Sequence, residues 1–361
     1  MHIISAAELE LYYKAIVNYA FLQFYNKKYT VDYYDQKNNR LHAYDNDIKR
    51  NIDVYVQSGP EIEDSNIPDY EYVVYYSSTK YSQKATKERY GNNVRCLTKE
   101  CYESITKLFY VFLTDSASFF DNMDSHFKEV LFAELLNRDA LSYLPPKLYK
   151  YLSKNALEDK SEMMRRKTMD GMVTLVSPCT FNDPFDIDCE ISNTNMQNLF
   201  RVFCVSPKYD DILMWSYYGN DHKGYCIEYD ASQIVDAIKN INIPGILIIG
   251  KIKYENNRPS KKLASKNINI TFIRDYIRVS MTKYKKWEHE DEYRFVLISN
   301  NFPVSNNYFP QVSVGIPDKI FAGCKNSNRV LYDNKNNSYT PIGLDKDPKD
   351  YKLIVKANEK D

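Results

Sequence analysis

The sequence predicts an α+β protein: a mixed, split sheet of short strands with helices, preceded by a smaller α+β module. The first observation is that, from about residue 145 onward, short apolar runs of strand character alternate with single helices and long loops. They lack the regular repeat of a doubly wound sheet. The second observation is that Pro145 and Pro146 cannot continue a helix and stiffen the chain. We therefore expect an N-terminal module at 1–144 and a second domain at 145–361.

The N-terminal module should begin with a helix. Ser5 and Glu8 form a capping box, and apolar residues then recur with helical spacing over residues 6–25. Residues 28–58 change to strand periodicity around a turn-rich centre, which predicts a hairpin. The module carries no catalytic signature, so we interpret it as a sensing, dimerising or regulatory part. Its remaining predicted elements are a strand at 70–78, an exposed loop at 80–96, and helices at 98–121 and 125–138.

The second domain should alternate strands and helices irregularly. Its apolar runs are short, and the run ILIIG near residue 246 is too short to cross a bilayer and predicts a buried strand. The predicted strands lie at 148–152, 172–177, 201–206, 223–230, 246–255, 292–299 and 319–323. The predicted helices or helical turns lie at 155–167, 194–200, 210–219, 231–241 and 268–286.

Composition limits the function classes. Lys+Arg and Asp+Glu both number 48, so nucleic acid can be held only through a local patch. The seven cysteines form no CxxC pair and do not cluster with the five histidines, which argues against a structural zinc site and favours reduced thiols. The N-terminal segment lacks the features of a signal peptide, and its charges interrupt a membrane span. We expect a cytoplasmic protein with no membrane partner and no metal.

The run FNDPFDIDCE, residues 181–190, contains four carboxylates within eight residues. Such a density suits a divalent cation, although the order does not match an EF-hand loop. A tight turn is the favoured interpretation, because Asn182 and Asp183 can bond their own backbone and Pro184 fixes φ. A third interpretation is that Asn182 or Asp183 positions a substrate. Asn182, Asp183 and Phe185 are therefore candidate binding residues.

The run LMWSYYGNDHKG, residues 213–224, places aromatic rings beside a serine and a histidine. Trp215 or Tyr217 could stack a nicotinamide or a base, while Ser216 offers a hydrogen bond. Ser216 and His222 could also be a nucleophile and its base, but the GxSxG elbow of hydrolases is absent. The alternative for each individual ring is ordinary core packing on a helix.

The run WEHEDEYR, residues 287–294, is the most informative. If it is extended, Glu290, Glu292 and Arg294 all point to one face of a strand. One glutamate can then pair with Arg294, while the other acts as an acid, a base or a charge stabiliser with a shifted pKa. The alternative is a salt-bridged strand edge. We favour a catalytic role, for Glu292 first and Glu290 second.

In this order, the segments resemble a widespread prokaryotic family known as domain of unknown function 2971. The resemblance extends over residues 145–325 and leaves the N-terminal module outside it. One departure is Tyr217, which stands where the family often has histidine and weakens any role assigned to a histidine there. The matching stretches are Leu148–Tyr151, Ser177–Asp186, Cys204–Asp230 and Trp287–Arg294.

The layout is also similar to ADP-ribosyltransferase-like folds, particularly the DNA-modifying toxins of toxin–antitoxin systems. In those proteins a first strand supplies a polar residue to NAD. A glutamate on a late strand then stabilises the oxocarbenium-like state as nicotinamide leaves. The likeness implies NAD as a co-substrate, Glu292 or Glu290 as the late glutamate, Tyr149 or Lys150 as the first-strand group, and Tyr217 or Trp215 as the ring that stacks nicotinamide.

Three functions follow from these patterns. The first is an NAD-using ADP-ribosyltransferase or NAD glycohydrolase, acting as a bacterial toxin or phage-defence effector on an unknown macromolecular or nucleotide target. The second is a non-catalytic module that senses a nucleotide or a protein. The third is a metal-dependent nuclease built on Asp183, Asp186 and Asp188.

Overall fold

The computed structural model describes most of the chain, and all structural statements below refer to that part. No helix in it combines the length and the apolar character needed to cross a bilayer. The described residues are 3–24, 28–58, 71–76, 94–96, 99–136, 140–158, 168–191, 194–241, 243–259, 276–299, 301–302, 309–328, 330–333, 335 and 337–356.

The elements are short, except for the first two long helices. The helices are α1 (Ala6–Phe24), α2 (Lys99–Thr114), α3 (Ser116–Asp121), α4 (Ser125–Leu136), α5 (Asn155–Glu158), α6 (Ile212–Tyr217) and α7 (Ala231–Lys239); residues 276–280 are also helical. The strands are β1 (Ile3–Ser5), β2 (Tyr29–Asp35), β3 (Arg40–Asp45), β4 (Arg50–Ser58), β5 (Glu71–Tyr76), β6 (Val94–Cys96), β7 (Lys147–Leu152), β8 (Met172–Thr174), β9 (Glu190–Ile191), β10 (Thr194–Asn195), β11 (Phe200–Val205), β12 (Tyr225–Asp230), β13 (Ile246–Lys251), β14 (Lys253–Glu255), β15 (Thr282–Tyr284), β16 (Tyr293–Ile298), β17 (Gln311–Ser313), β18 (Ile320–Ala322), β19 (Leu331–Tyr332), β20 (Ser338–Tyr339), β21 (Ile342–Lys346) and β22 (Leu353–Val355).

Two mixed sheets dominate the second domain. One has the strand order β22-β21-β18-β12-β7, and the other has the order β1-β13-β16-β11. The two sheets touch where Tyr149 of β7 forms an isolated antiparallel bridge with Ser206, just after β11. A mixed sheet that is split in this way confirms the predicted α+β class.

The sheets also share one apolar core. The amphipathic helix α7 buries Ile234, Val235 and Ile238. These side chains lie in the same cluster as Tyr225 of β12 and Leu297 of β16. Burial of such side chains removes apolar surface from water, which is the main favourable term in folding. The core therefore fixes the position of one sheet relative to the other.

The N-terminal residues build a third sheet, with the order β2-β3-β4-β5-β6, against which α1 and its neighbouring helices pack. The first strand, however, leaves this region. Ile3–Ser5 pair in parallel with Leu247–Ile249, so β1 is an edge strand of the second domain's sheet. The boundary at residue 144 stays a prediction.

Most of the predicted elements are confirmed. The loop predicted over 80–96 is wrong at its end, because Val94–Cys96 form β6 at the edge of the N-terminal sheet. The helix at 6–25 and the hairpin at 28–58 are present, the latter continued by a third antiparallel strand, β4. The helix predicted over 268–286 is wrong at its end, where β15 and a 3-10 helix (Lys285–Glu290) follow residue 281. The parts of the predicted loop and helices at 77–93, 159–167 and 260–275 lie outside the described residues.

Candidate functional site

A cleft of about 400 Å³ opens where the two sheets of the second domain separate. One wall is formed by β7 and β11, and the other by α6 with the loop that contains FNDPFD. Buried charged side chains form its floor. The lining includes Tyr149, Lys150, Tyr151, Phe181, Asn182, Asp186, Cys204, Ser206, Met214, Tyr217, Tyr218, Lys283, Glu290, Glu292 and Arg294.

Arg294 is the centre of the floor and is 0% exposed. The pairing of β16 with β11 and β13 places it in the middle of the sheet, opposite Cys204. Its guanidinium donates two hydrogen bonds to Asp186, of 2.8 and 2.5 Å, and two to Glu292, of 2.7 and 3.0 Å. Such two-pronged pairing is among the strongest forms of charged hydrogen bond. Asp186, in the FNDPFD loop, is therefore fixed to the late strand.

Lys283 is the second cation of the floor. Its Nζ atom donates to Glu290 at 2.5 Å and to Glu292 at 3.3 Å, and it lies 3.8 Å from Asp186. Three buried carboxylates thus face two buried cations. We name Asp186, Lys283, Glu290, Glu292 and Arg294 the charge cluster. An excess of one negative charge remains within it.

The cluster shifts the pKa values of its two glutamates in opposite directions. Burial works to raise the pKa of Glu292, but Arg294 and Lys283 outweigh it and hold that pKa below its usual range. For Glu290, burial is the largest influence and raises the pKa, although Lys283 acts against it. Glu292 therefore stays an anion, whereas Glu290 binds a proton more readily than an exposed glutamate does.

The backbone around Glu290 differs from the predicted extended strand. Residues 285–290 form a 3-10 helix, and Asp291 ends it in the left-handed conformation with φ of 46°. The chain then reverses into β16, so Glu290 and Glu292 still meet at one point, the amine of Lys283. The convergence was predicted correctly, but the extended geometry offered as its cause was wrong.

Tyr218 contacts the Glu290 carboxylate oxygen that does not bond to Lys283. It follows α6, whose start is capped by the Asp211 carboxylate through the amides of Leu213 and Met214. The Tyr218 hydroxyl donates to Glu290 at 2.6 Å. Burial, followed by the charge of Glu290, raises the pKa of Tyr218, so the phenol keeps its proton for this bond.

Tyr217 and Asn182 lie at the opening of the cleft. Tyr217 is 62% exposed, and its ring centroid is 5.7 Å from that of His289. The Asn182 amide donates to the Tyr218 hydroxyl at 3.4 Å, a long hydrogen bond that crosses from the FNDPFD loop to α6. Both residues were predicted from the sequence as binding residues, and both line the cleft.

Tyr149 and Lys150 line the opposite wall, as predicted for the first strand. The hydroxyl of Tyr149 donates to Glu228 at 3.0 Å, and the amine of Lys150 donates to the carbonyl of Cys204 at 2.9 Å. Burial raises the pKa of Tyr149, so this phenol is also protonated. Both polar groups already have protein partners, which makes them part of the wall rather than reactive groups at the floor.

Five predicted site residues lie outside the cleft, and three of them belong to the run LMWSYYGNDHKG. Trp215 is 0% exposed and donates from its indole to the Tyr209 carbonyl, so it packs in the core and offers no face to a ligand. Ser216 and His222 are 3.1 Å apart, as a nucleophile and base would be. However, Ser216 lies on the exposed side of α6 and neither residue lines the cleft.

The carboxylates of the FNDPFDIDCE run do not converge. Asp183 accepts from the Phe185 amide at 2.9 Å, which confirms the turn interpretation. Asp186 pairs with Arg294, and Asp188 pairs with Arg258. Within the described ranges, no group of three or more His, Cys, Asp or Glu side chains is placed to hold a metal ion. Phe185 and Asp183 instead line a neighbouring cavity.

Sequence reasoning missed Lys283 and Tyr218 as parts of the site. Lys283 fell inside a stretch that we predicted as a basic-faced helix, and nothing in its local pattern separates it from other lysines. Tyr218 lies in the aromatic run LMWSYYGNDHKG, so the sequence did indicate an aromatic ring close to the site. Its bond to Glu290, 72 residues away, depends on tertiary structure.

Comparison with known proteins matches part of the chain to a family model. No curated protein and no solved structure matches the chain. Residues 214–295, which run from α6 through β16 and carry Tyr217, Tyr218, Lys283, Glu290, Glu292 and Arg294, match the model of the family described as protein of unknown function (DUF2971). The chain therefore carries a DUF2971 region, and most of the cleft floor lies within it.

Proposed function

We propose that the protein cleaves the bond between nicotinamide and ribose in NAD, as an ADP-ribosyltransferase or an NAD glycohydrolase. The observation that carries the proposal is Glu290. It is a buried carboxylate at the floor of a cleft, held between Tyr218 and Lys283, with a raised pKa. Groups with perturbed pKa values in a cleft are candidates for acid–base and electrostatic roles.

The proposed chemistry uses the negative charge of Glu290. The bond between C1′ of ribose and the pyridine nitrogen breaks, and its electron pair leaves with nicotinamide, which becomes neutral. Positive charge develops on the ribose, and a fixed, buried carboxylate stabilises it. Water or an acceptor group then forms the new bond to C1′ and releases a proton, which Glu290 can accept. The raised pKa favours this last step.

The remaining lining residues support binding. The exposed ring of Tyr217 at the opening of the cleft suits stacking on nicotinamide, and Asn182 beside it offers an amide. Glu292 and Arg294 have a different role, because each is fixed by the other. They position Lys283 and, through it, Glu290. This assignment places Glu290 ahead of Glu292 as the catalytic carboxylate, the reverse of the order that we inferred from the sequence.

On this proposal the protein acts as a bacterial toxin or phage-defence effector in the cytoplasm. The support is the likeness of the layout to ADP-ribosyltransferase-like toxins, in which a first strand carries a polar residue and a late strand carries a glutamate. The target would be a macromolecule or a nucleotide. Among the described residues of the segment 1–144, none contributes a side chain to the cleft lining, which suits a sensing or regulatory part.

A second candidate is a non-catalytic module that senses a nucleotide or a protein. The observation that favours it is the complete pairing of the charge cluster, in which both cations and all three carboxylates bond within the protein. A structural ion network also perturbs pKa values. The two candidates differ in turnover, which can be measured.

The test is to incubate the purified full chain with NAD and to measure free nicotinamide by chromatography. The incubation is repeated with nucleic acid, with nucleotides and with bacterial lysate, each with and without EDTA. We expect release of nicotinamide that EDTA does not abolish. Saturable binding of NAD without release under any condition would favour the sensing module, and neither binding nor release would contradict both candidates.

A further inference from the structure

A second cavity lies on the other side of the FNDPFD loop from the cleft. Its volume is also about 400 Å³. Asn182, Asp186 and Lys283 line both cavities, so these three side chains form the partition between them. The second cavity is otherwise lined by different residues, from the FNDPFD loop, the segment 255–259 and the segment 282–287.

We propose that this second cavity binds a nucleobase. It goes beyond the cleavage site, since the two cavities share only the three partition residues. Trp287 of the second cavity also contacts the charge cluster, because the Lys283 amine lies 5.1 Å from the centroid of its ring. The source of the base rests on the proposed function. The base is either the adenine of NAD itself or part of a separate acceptor molecule. The shared chemistry is a neutral, planar heterocycle with hydrogen-bond donors and acceptors along its edge.

Aromatic rings are the first feature that supports a planar ligand. Phe185 is 64% exposed and Tyr284 is 45% exposed, while Trp287 is half-buried. Leaving large rings partly exposed around one cavity forgoes hydrophobic burial, and such a grouping is typical of a binding site. Rings of this kind stack on any base, because every base has a π-face.

Amide side chains are the second feature. Asn182, Asn256 and Asn257 all line the cavity. An asparagine amide offers donors and an acceptor side by side, and this pattern is complementary to the edges of bases, adenine in particular. Three amides beside three rings supply both recognition elements that a base requires.

The charges of the cavity are the third feature. Arg258 pairs with Asp188, Lys283 pairs with Glu290, and Glu255 pairs with Lys253. Asp186 likewise pairs with Arg294, whereas Asp183 accepts a hydrogen bond from the Phe185 amide instead of forming an ion pair. Four of the five charged side chains that line the cavity are thus ion-paired, so the cavity does not select a strongly charged ligand. A volume near the lower end of the usual range of about 300–1,000 Å³ suits a single nucleoside.

The two tryptophans of the chain make the proposal measurable. Trp287 lines the second cavity, whereas Trp215 is fully buried in the core. Titration of the full chain with adenosine and with uridine should change the emission of Trp287 in a saturable way. The change should be lost in Trp287→Phe, and equilibrium dialysis gives the affinity without relying on fluorescence.

Phe185→Ala should weaken adenosine binding by roughly 5- to 100-fold, the range observed when one stacking ring is removed. Phe185 is mostly exposed, so the variant should fold normally. Tyr351→Ala is the matched control, because Tyr351 is an exposed ring that lines neither cavity. This variant should bind like the wild type.

Two further measurements, competition between adenosine and NAD and the kinetics of NAD cleavage, identify the source of the base. If adenosine competes with NAD and Phe185→Ala raises KM for NAD at unchanged kcat, the base is the adenine of NAD. If adenosine does not compete and NAD cleavage is unchanged, the base belongs to an acceptor. Either result supports the site.

The site would be overturned if neither nucleoside binds up to its solubility, or if Phe185→Ala binds as tightly as the wild type. Nucleoside binding requires no turnover, so a protein that binds adenosine without releasing nicotinamide would contradict only the proposed function. A protein that releases nicotinamide without binding nucleosides would contradict only this site.

Discussion

The helical core of the N-terminal region and the charge cluster of the cleft are both buried, but by opposite chemistry. In the first, Tyr12, Phe112 and Phe119 stack edge and face, with ring centroids 4.7 and 5.5 Å apart. In the second, Arg294 and Lys283 lie beneath the surface with three carboxylates. Burial of rings stabilises a fold directly, whereas burial of charges carries a desolvation cost. This comparison is one reason for our proposal that the charge cluster serves function, while the aromatic core serves stability.

The largest expected effect is that of Arg294→Met. The substitution leaves Asp186 and Glu292 buried with only Lys283 to compensate them, and loss of one partner of a buried ion pair costs about 3–5 kcal/mol. Urea denaturation measures the free energy of unfolding. Arg258→Met is the control, because its pair with Asp188 is partly exposed and such pairs contribute about 0–1 kcal/mol. Equal losses in the two variants would contradict a special cost at the cluster.

Phe112→Ala should destabilise by a similar amount, about 3–5 kcal/mol, because a fully buried ring leaves a cavity. Unlike a change in the charge cluster, this substitution should leave function intact. At a temperature where the variant stays folded, nicotinamide release per folded molecule should equal that of the wild type. Tyr110→Ala on the same helix, with an exposed ring, should cost little. A loss of specific activity in Phe112→Ala would break the separation between stability and function.

Glu290→Gln and Glu292→Gln should have opposite effects on stability. The lowered pKa of Glu292 contributes stability that is present above its unfolded value of 4.5 and is lost as pH falls. The raised pKa of Glu290 contributes stability at low pH that is lost as pH rises through that raised value. Near pH 7, Glu290→Gln should therefore be at least as stable as the wild type, whereas Glu292→Gln should be less stable. Urea midpoints from pH 5 to 8 measure both; the reverse order near pH 7 would refute the assignment.

The smallest expected effect is that of Ser216→Ala. Ser216 bonds to His222 and to the Ile212 carbonyl on an exposed face, outside the cleft. Unfolding free energy should change by no more than about 0.5 kcal/mol, and nicotinamide release should be unchanged. A large loss of activity would return the nucleophile-and-base interpretation to consideration.

Much of the fold was predictable because its signals are local. The Ser5 and Glu8 sequence pattern, the apolar period of α1 and the alternation of β3 depend only on near neighbours. The convergence of Glu290, Glu292 and Arg294 was also local, since they lie within five residues. The 3-10 helix at Lys285–Glu290 was missed, because its charged residues give no periodic signal.

The rest of the site depends on contacts between distant segments. Asp186 reaches Arg294 across 108 residues, and Tyr218 reaches Glu290 across 72. No spacing rule connects such pairs in a single sequence. Trp215 was a candidate for ligand stacking because its aromatic ring stands beside a serine in the sequence. Its burial, however, is decided by packing against Tyr151. The order of the two glutamates likewise depends on which of them Arg294 contacts.

The most direct test is nicotinamide release by Glu290→Gln, measured beside Asp291→Asn. Both variants lose one negative charge in adjacent residues, but Asp291 pairs with Lys251 outside the cleft, and asparagine tolerates its left-handed backbone. We expect Glu290→Gln to lose about 10²- to 10³-fold in rate while remaining folded, as when one preorganised electrostatic group is removed. Asp291→Asn should retain the wild-type rate. A Glu290→Gln variant that releases nicotinamide as fast as the wild type would contradict the central role of Glu290.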